Sequence, residues 1–235
     1  MKYIYATLLS TPRYLQGIMV LYASLKKYGK SKYPFLCVCS KDIPEDCLEK
    51  LRKNGISYHV LKERALDGIK MPQQKNGWQH WSYSFDKLLL WGLEEYDKVV
   101  FLDSDMLVLR PIDNLFEQPD MSAVAAGNFE YPDWTRLNSG LMVFKPSKSV
   151  MKELLSLIKP TIEEFEHKGS SVGDQDAINN YKKDWPQTPS LHLSEEYNVF
   201  YNFLVDYNKA ELPPKSCTLR GRVETLVSYP FKGKD

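Results

Sequence analysis

The chain has 235 residues, of which 43% are hydrophobic and 26% are charged, and its formal net charge is +1. These values are typical of one large folded domain or two small ones. The near-neutral charge excludes the strong basic field that nucleic acid or an anionic membrane would attract, so we expect neither as a partner.

The N-terminal residues are too few and too polar for a signal peptide, and no run of about 18 apolar residues predicts a membrane span. The four cysteines, Cys37, Cys39, Cys47 and Cys217, lack the CxxC spacing of a zinc site. We therefore expect reduced thiols in a cytoplasmic protein.

The first half of the chain alternates predicted strands and helices. Near-continuous apolar runs predict strands over residues 2–8, 34–40, 57–61 and 98–102. Apolar spacing predicts helices over residues 14–28, 44–54 and 82–93. Repeated strand–helix units with such strands indicate an α/β fold with a mainly parallel sheet covered on both faces.

The second half is mixed. Short strands are predicted near residues 123–126 and 141–144, helices over 147–168 and 174–181, and a loop-rich tail from Trp185. Residues 64–81 show no clean periodicity, which predicts a long loop that acts as a mobile lid. Because no repeat or linker interrupts the chain, we expect a single domain over residues 1–235.

Two carboxylates, Asp103 and Asp105, interrupt an apolar run that resumes after them. At an effective dielectric of about 20, two like charges about 5 Å apart repel by roughly 3 kcal/mol. A divalent cation reverses that repulsion, and oxygen ligands with open positions suit Mn²⁺ or Mg²⁺ holding substrate phosphates. Ligands of parallel sheets bind beyond the carboxyl ends of the strands, where residues 8–14 also lie.

Residues 173–179 combine a helix start with polar side chains. Asp174 and Asp176 suit the positive end of the helix dipole, which is the purely structural interpretation. Gln175 and Asn179 add amide groups on one helix face, where they would suit sugar hydroxyls.

Two more polar features allow both a structural and a functional interpretation. Asn138, Ser139 and Gly140 either form a turn that leads into a strand or let a ligand approach the backbone closely. Lys87 is either a solvated surface charge or a contact to an anionic phosphate. The sequence has no P-loop or GxGxxG motif, which removes the signature of the common phosphate-binding and dinucleotide folds.

Taken in chain order, these segments resemble glycosyltransferase family 8, which includes glycogenin and bacterial lipooligosaccharide galactosyltransferases. The resemblance covers nearly the whole chain and rests on six segments in register: residues 6–10 with Tyr14, 85–89, 101–109, 138–144, 173–175 and 192–198. It implies the GT-A fold, a UDP-sugar donor, Mn²⁺ and retention of anomeric configuration, with residues 1–109 as the nucleotide-binding half and 110–235 as the acceptor half.

The resemblance also implies roles for individual residues. Asp103 and Asp105 would hold the metal, with Ser104 near the ribose. The uracil and ribose would be surrounded by Leu8, Ser10, Thr11 and Tyr14. The transferred sugar would be surrounded by Lys87, Asn138, Asp174 and Gln175, of which Lys87, Asp174 and Gln175 would be catalytic. Ser139 and Gly140 would also bind the substrate.

One segment departs from the family pattern. The family takes a third metal ligand from a late histidine motif, and that histidine position falls on Pro230, or on Ser228 if a gap is allowed. Water or Ser228 would then complete the coordination sphere.

The expected activity is transfer of glucose or galactose from a UDP-sugar to a saccharide or another hydroxyl acceptor. Two alternatives remain: a UDP-sugar-binding protein with impaired catalysis, and a glycogenin-like primer that glycosylates itself at Tyr197, Tyr201 or Tyr207. A metal phosphohydrolase would need further carboxylate or histidine ligands. Assembly of the protein into a homodimer is compatible with the sequence.

Overall fold

The computed structural model describes residues 1–71, 75–127, 132–200 and 214–218, with the backbone alone for residues 75–81. A six-stranded sheet has the order β3-β2-β1-β4-β7-β6. Its strands are β1 Tyr3–Leu9, β2 Phe35–Cys39, β3 Ser57–Val60, β4 Lys98–Leu102, β6 Ser122–Ala125 and β7 Leu137–Phe144.

The first four of these strands run parallel, whereas β7 is antiparallel to β4 and β6 is antiparallel to β7. The central strands β1, β2 and β4 are buried almost throughout, and β3 at the sheet edge alternates exposed and half-buried residues. Burial on both faces explains the continuous apolar runs. The predicted α/β class with a mainly parallel sheet is confirmed.

In the described parts of the chain, four α-helices cover the sheet: α1 Leu15–Lys27, α2 Glu45–Lys53, α3 Lys148–His167 and α4 Asp174–Tyr181. At the start of α3, the Ser147 hydroxyl accepts a hydrogen bond from the Val150 N–H. After α2 the chain turns at Gly55, whose φ of +69° favours glycine.

Two hydrophobic cores lie on opposite faces of the sheet. One contains Phe85 and Leu154, together with Trp91 stacked on Phe144 at a centroid distance of 4.0 Å. The other includes residues of α1 and α2, such as Ile18 and Leu51. The helices therefore form two layers around the sheet, as the sequence predicts.

The segment before β4 differs from its prediction. A 3₁₀ helix spans Lys75–Gly92, whereas the sequence predicts a loop up to residue 81 and a helix from Ser82. Residues 85–91 are all buried, whereas Tyr83 in the same helix is 43% exposed. The part of the helix after Ser84 is thus packed on all sides, so its residues show no amphipathic period. Residues 72–74 of the predicted lid lie outside the described residues.

A second, three-stranded sheet joins the C-terminal part of the described chain to the region after β4. Its order is β5-β9-β8, with β5 Met106–Val108, β8 Val199–Phe200 and β9 Ser216–Thr218. This sheet brings residues near 198 and 218 next to the turn that carries Asp103 and Asp105.

All four cysteines are free and buried, and the Sγ atoms of Cys37 and Cys39 lie 3.8 Å apart on one face of β2. Among the helices of the described segments, none combines the length and apolarity that a membrane crossing needs.

Candidate active site

The turn Asp103–Asp105 lies where β4 ends and β5 begins. The Asp103 N–H donates to the Gly140 carbonyl at 2.8 Å, and the Met106 N–H donates to the Asp103 carbonyl at 3.1 Å. The first bond holds the turn against β7, and the second closes the turn itself. The two carboxylates therefore lie at the carboxyl edge of the parallel strands, as predicted.

Lys87 is buried beside this turn, with 3% of its surface exposed. Its Nζ lies 3.0 Å from Asp103 Oδ1 and 2.8 Å from Asp174 Oδ2, and it donates to the Ser139 carbonyl at 3.2 Å. Burial would lower the pKa of Lys87, but the charges of Asp103 and Asp174 outweigh it and raise the pKa above its ordinary value. The interpretation of Lys87 as a solvated surface charge is therefore wrong.

Asp174 is held at the start of α4 by three groups. Lys87 contacts its carboxylate, the Ser139 hydroxyl donates to Oδ2 at 2.8 Å, and its own N–H donates to Ser84 Oγ at 3.2 Å. The Asp174 side chain is 8% exposed. Its orientation is thus determined by β7 and the 3₁₀ helix together, not by α4 alone.

Gln175 is anchored through its carbonyl oxygen. The Ser139 N–H donates to Gln175 Oε1 at 3.1 Å. Because the oxygen takes this bond, the amide NH₂ is the end of the side chain that can donate to a ligand.

Gly140 lies where three polar groups converge. A Cβ atom at this position would be 3.0 Å from Asn138 Oδ1, 3.2 Å from Asp103 Oδ2 and 3.3 Å from Asn198 Nδ2. Asn138 Oδ1 also accepts the Gly140 N–H at 2.8 Å and Asn198 Nδ2 at 3.0 Å. A Cβ here would push Asp103 or its neighbours by a few tenths of an ångström, so the close approach favours glycine.

Four predicted donor-binding residues follow the end of β1 or lie in it. Leu8 and Ser10 are buried, and Thr11 Oγ1 is a buried hydroxyl without a hydrogen-bond partner among the described residues. Burial raises the pKa of Tyr14, and the charges of Asp105 and Asp103 raise it further. The Tyr14 hydroxyl is thus within electrostatic reach of the two carboxylates.

Asp103 and Asp105 are the residues of this turn that could contribute oxygen ligands to a cation. Burial raises the pKa of Asp103 to about 7, and the charges of Asp105 and Asp174 add to the rise against the opposing charge of Lys87. A bound cation would relieve this cost. Within the described residues no group of three His, Cys, Asp or Glu side chains could hold a metal. Two carboxylates with phosphate oxygens and water remain a set that Mn²⁺ and Mg²⁺ accept.

Other predicted ligand-binding groups have structural roles. Asn179 was predicted to bind sugar hydroxyls, but its amide bonds both backbone groups of Leu137, accepting the N–H at 3.0 Å and donating to the carbonyl at 2.9 Å. That prediction is wrong, because the start of β7 needs these bonds. Pro230 and Ser228, the candidate third-ligand positions, lie outside the described residues.

The sequence reasoning missed a buried carboxylate next to Lys87. Asp86 is 2% exposed, contacts Arg64 Nε at 2.7 Å, accepts the Ala65 N–H at 2.9 Å and accepts a hydrogen bond from the Ser40 hydroxyl. It fastens the 3₁₀ helix to the ends of β2 and β3. The signal was present, since Asp86 interrupts an apolar run just as Asp103 does.

Lys87, Asp103 and Asp174 thus form one cluster of charged groups at the carboxyl edge of the sheet. The glycosyl transferase family 8 model matches residues 6–131. The chain belongs to this family.

Two curated relatives show the breadth of the family. Glycogenin-1 of Caenorhabditis elegans is 30% identical over 211 residues, covering 86% of this chain and 46% of that protein. Putative UDP-glucuronate:xylan alpha-glucuronosyltransferase 5 of Arabidopsis thaliana is 32% identical over 201 residues, covering 85% of this chain and 31% of that protein. The chain thus spans less than half the length of either relative.

Solved structures agree on the fold. An active-site mutant of LgtC matches with a TM-score of 0.65 at 15% identity, covering 93% of this chain and 86% of that one. The galactosyltransferase LgtC in complex with donor and acceptor sugar analogs matches with a TM-score of 0.61 at 16% identity, covering 94% and 88%. The predicted GT-A architecture is therefore confirmed.

Proposed function

We propose that this protein is a retaining glycosyltransferase that moves glucose or galactose from a UDP-sugar to a hydroxyl acceptor with Mn²⁺, or Mg²⁺ in its place. The observation that carries the proposal is the contact of the buried Lys87 with Asp103 at 3.0 Å and with Asp174 at 2.8 Å. It joins the expected phosphate-binding edge to the helix expected to face the transferred sugar.

The nucleotide would bind against the segment that follows β1. The half-buried ring of Tyr14 would supply an aromatic face there, and Leu8, Ser10 and Thr11 belong to the same segment. Ser104, between the two carboxylates, would meet the ribose. Asp103 and Asp105 would hold the cation, which when bound supplies Lewis-acid stabilisation of the diphosphate charge.

The hard step is the build-up of negative charge on the departing diphosphate. Lys87 carries a permanent positive charge in a site from which water is largely excluded, where a preorganised charge stabilises more than it would in bulk solvent. Asp103 and Asp174 hold the Lys87 ammonium in place before the step begins.

Retention allows either a double displacement on Asp174 or Gln175, or attack from the front face, in which the leaving phosphate takes the acceptor proton. The Asp174 carboxylate already bonds Lys87 and Ser139, and such bonds reduce its nucleophilicity. An amide such as Gln175 is a weak nucleophile. We therefore propose front-face attack, with Asp174 orienting the sugar and stabilising positive charge on it. A covalent glycosyl adduct trapped on Asp174 would contradict this.

The self-glycosylating alternative loses one of its three acceptor residues. Tyr197 is 6% exposed, and its hydroxyl accepts hydrogen bonds from Asn114 Nδ2 at 2.5 Å and Lys215 Nζ at 3.0 Å. A hydroxyl so engaged cannot reach a sugar without local unfolding. Tyr201 and Tyr207 lie outside the described residues, and intact mass after incubation with UDP-glucose tests them.

Thermal unfolding with UDP and Mn²⁺ tests the donor site. A ligand at 100 times its dissociation constant adds about 2.7 kcal/mol, which raises the Tm of a chain of this size by about 5–10 °C. We expect this rise to need Mn²⁺ and to vanish in Asp103→Ala, while the exposed control Asp46→Ala retains it. A rise that is independent of Mn²⁺ or that survives in Asp103→Ala would refute the proposed site.

Turnover separates the enzyme from the binding-protein alternative. With Mn²⁺, we expect release of UDP from UDP-glucose or UDP-galactose, with water or an added saccharide as acceptor. Binding of UDP-sugar without any release of UDP would favour impaired catalysis instead.

A further inference from the structure

Hydrogen bonds between three side chains connect strand β9 to the reaction centre. The Thr218 hydroxyl donates to Asn198 Oδ1 at 2.7 Å, and Asn198 Nδ2 donates to Asn138 Oδ1 at 3.0 Å. Thr218 is 8% exposed and Asn198 is 2% exposed, so both are largely shielded from water. The three residues lie 20 and 60 positions apart along the chain, and the fold brings them together.

These bonds determine which end of the Asn138 amide a ligand meets. Asn138 Oδ1 accepts two hydrogen bonds, one from Asn198 and one from the Gly140 N–H at 2.8 Å. An amide oxygen has two lone pairs, so both are engaged and the NH₂ group is the end that can donate to a ligand. Asn138 is half-buried in β7, two residues before Gly140, whose carbonyl accepts the Asp103 N–H. A ligand beside Asp103 can therefore reach it.

The Thr218 hydroxyl can be removed without loss of strand pairing. Thr218 pairs with Met106 of β5 and with Phe200 of β8 through the backbone, and valine suits a strand as well as threonine does. Without the hydroxyl, Asn198 loses the buried donor that fixes which end of its amide faces Asn138. If the Asn198 amide turns over, its oxygen faces Asn138 Oδ1, and Asn138 loses the bond that orients it.

We propose that Asn198 and Thr218 are positioning residues that hold the Asn138 amide with its NH₂ group towards the transferred sugar. The inference rests on the proposed function, because it needs a sugar next to Asn138. Strand β9 then has two roles: its backbone supports β5 after the Asp103–Asp105 turn, and its Thr218 hydroxyl orients a sugar-binding group at a distance of two side chains.

A comparison of UDP with UDP-sugar tests the positioning role. Calorimetry with Mn²⁺ gives the affinity for UDP and for UDP-glucose or UDP-galactose, whichever binds more tightly. We expect Thr218→Val to weaken the UDP-sugar about tenfold, the loss expected of one hydrogen bond, and to change the affinity for UDP less than about twofold. A merely structural lesion would weaken both ligands alike, because both share the nucleotide site.

Three further variants complete the comparison. Thr218→Ser keeps a hydroxyl and should bind both ligands as the wild type does. Thr188→Val removes a surface threonine hydroxyl that donates to the Asp184 carbonyl at 2.8 Å, and should also leave both affinities unchanged. Thr218→Ala removes the hydroxyl without adding a methyl group. It should reproduce the selective loss, and it decides the test if Thr218→Val does not fold.

The inference is wrong if removal of the Thr218 hydroxyl leaves the affinity for UDP-sugar unchanged, or if it weakens UDP and UDP-sugar to the same extent. It is also wrong if Thr218→Ser is as weak as Thr218→Val. If wild type with Mn²⁺ binds neither UDP nor UDP-sugar, the proposed function itself is wrong. If wild type binds both and the variants fail the test, only the positioning role is wrong.

Discussion

The replacement of Lys87 by methionine tests the electrostatic centre of the site. Lys87 Nζ contacts Asp103 at 3.0 Å and Asp174 at 2.8 Å, which at an effective dielectric of about 20 corresponds to an attraction of about 6 kcal/mol each. The cost of dehydrating the three groups cancels most of this gain. Removal of the lysine alone leaves the two carboxylates without their cation, and such changes cost about 3–5 kcal/mol.

The lower end of that range is expected here. The Asp103 side chain is 35% exposed, so solvent screens part of its charge, and we expect Lys87→Met to lower the free energy of unfolding by about 3 kcal/mol. Urea denaturation followed by circular dichroism measures the change. Lys148→Met is the matched control, because Lys148 pairs with Glu94 at 3.3 Å on the surface with 64% of its side chain exposed, and should cost below about 1 kcal/mol.

A double variant identifies the cause of the loss. Lys87→Met combined with Asp174→Asn removes one of the uncompensated charges and should recover about 1–2 kcal/mol of the lost stability. The reasoning is refuted if Lys87→Met is as stable as Lys148→Met. It is also refuted if Asp174→Asn lowers the free energy of unfolding of Lys87→Met by as much as it lowers that of the wild type.

Three further predictions follow from individual contacts. Gly140→Ala should weaken UDP–Mn²⁺ about tenfold in calorimetry by crowding Asp103 at 3.2 Å, and unchanged affinity would contradict the close approach. Asn179→Ala should cost about 2–4 kcal/mol in urea denaturation, because both backbone groups of Leu137 lose their partner, whereas a cost below about 1 kcal/mol would argue against these bonds. Burial raises the pKa of Asp176 to about 6, so its ionisation destabilises the fold: from about pH 4 to about pH 7, wild type should lose about 2 kcal/mol relative to Asp176→Asn, and parallel pH profiles would exclude this.

The strands and helices with one dominant burial pattern were predictable from the sequence. The predicted strand over residues 98–102 and the predicted helix over 174–181 have the bounds of β4 and α4. β4 is buried on both faces, so its apolar run is continuous, and α4 begins with two carboxylates that suit a helix N-terminus. Local patterns of this kind report burial directly.

The start of β7 was not predictable in the same way. The sequence predicts a strand near residues 141–144, whereas β7 is Leu137–Phe144. Its first part contains Asn138 and Ser139, whose polar side chains are unfavourable in a buried strand without partners. Asp174 and Gln175 of α4 satisfy Ser139, and Asn198 satisfies Asn138. These partners come from residues 35 to 60 positions away along the chain.

The sequence by itself determined the α/β class, the position of the Asp103–Asp105 turn and the resemblance to the family, because apolar periodicity and charges within apolar runs are local properties. Only the tertiary structure decided that Lys87 is a buried partner of two carboxylates, that Asn179 serves the backbone, and that Asp86 anchors the 3₁₀ helix. Whether a polar side chain contacts a ligand or another part of the chain depends on which distant groups folding brings within hydrogen-bonding distance, and no local pattern records that.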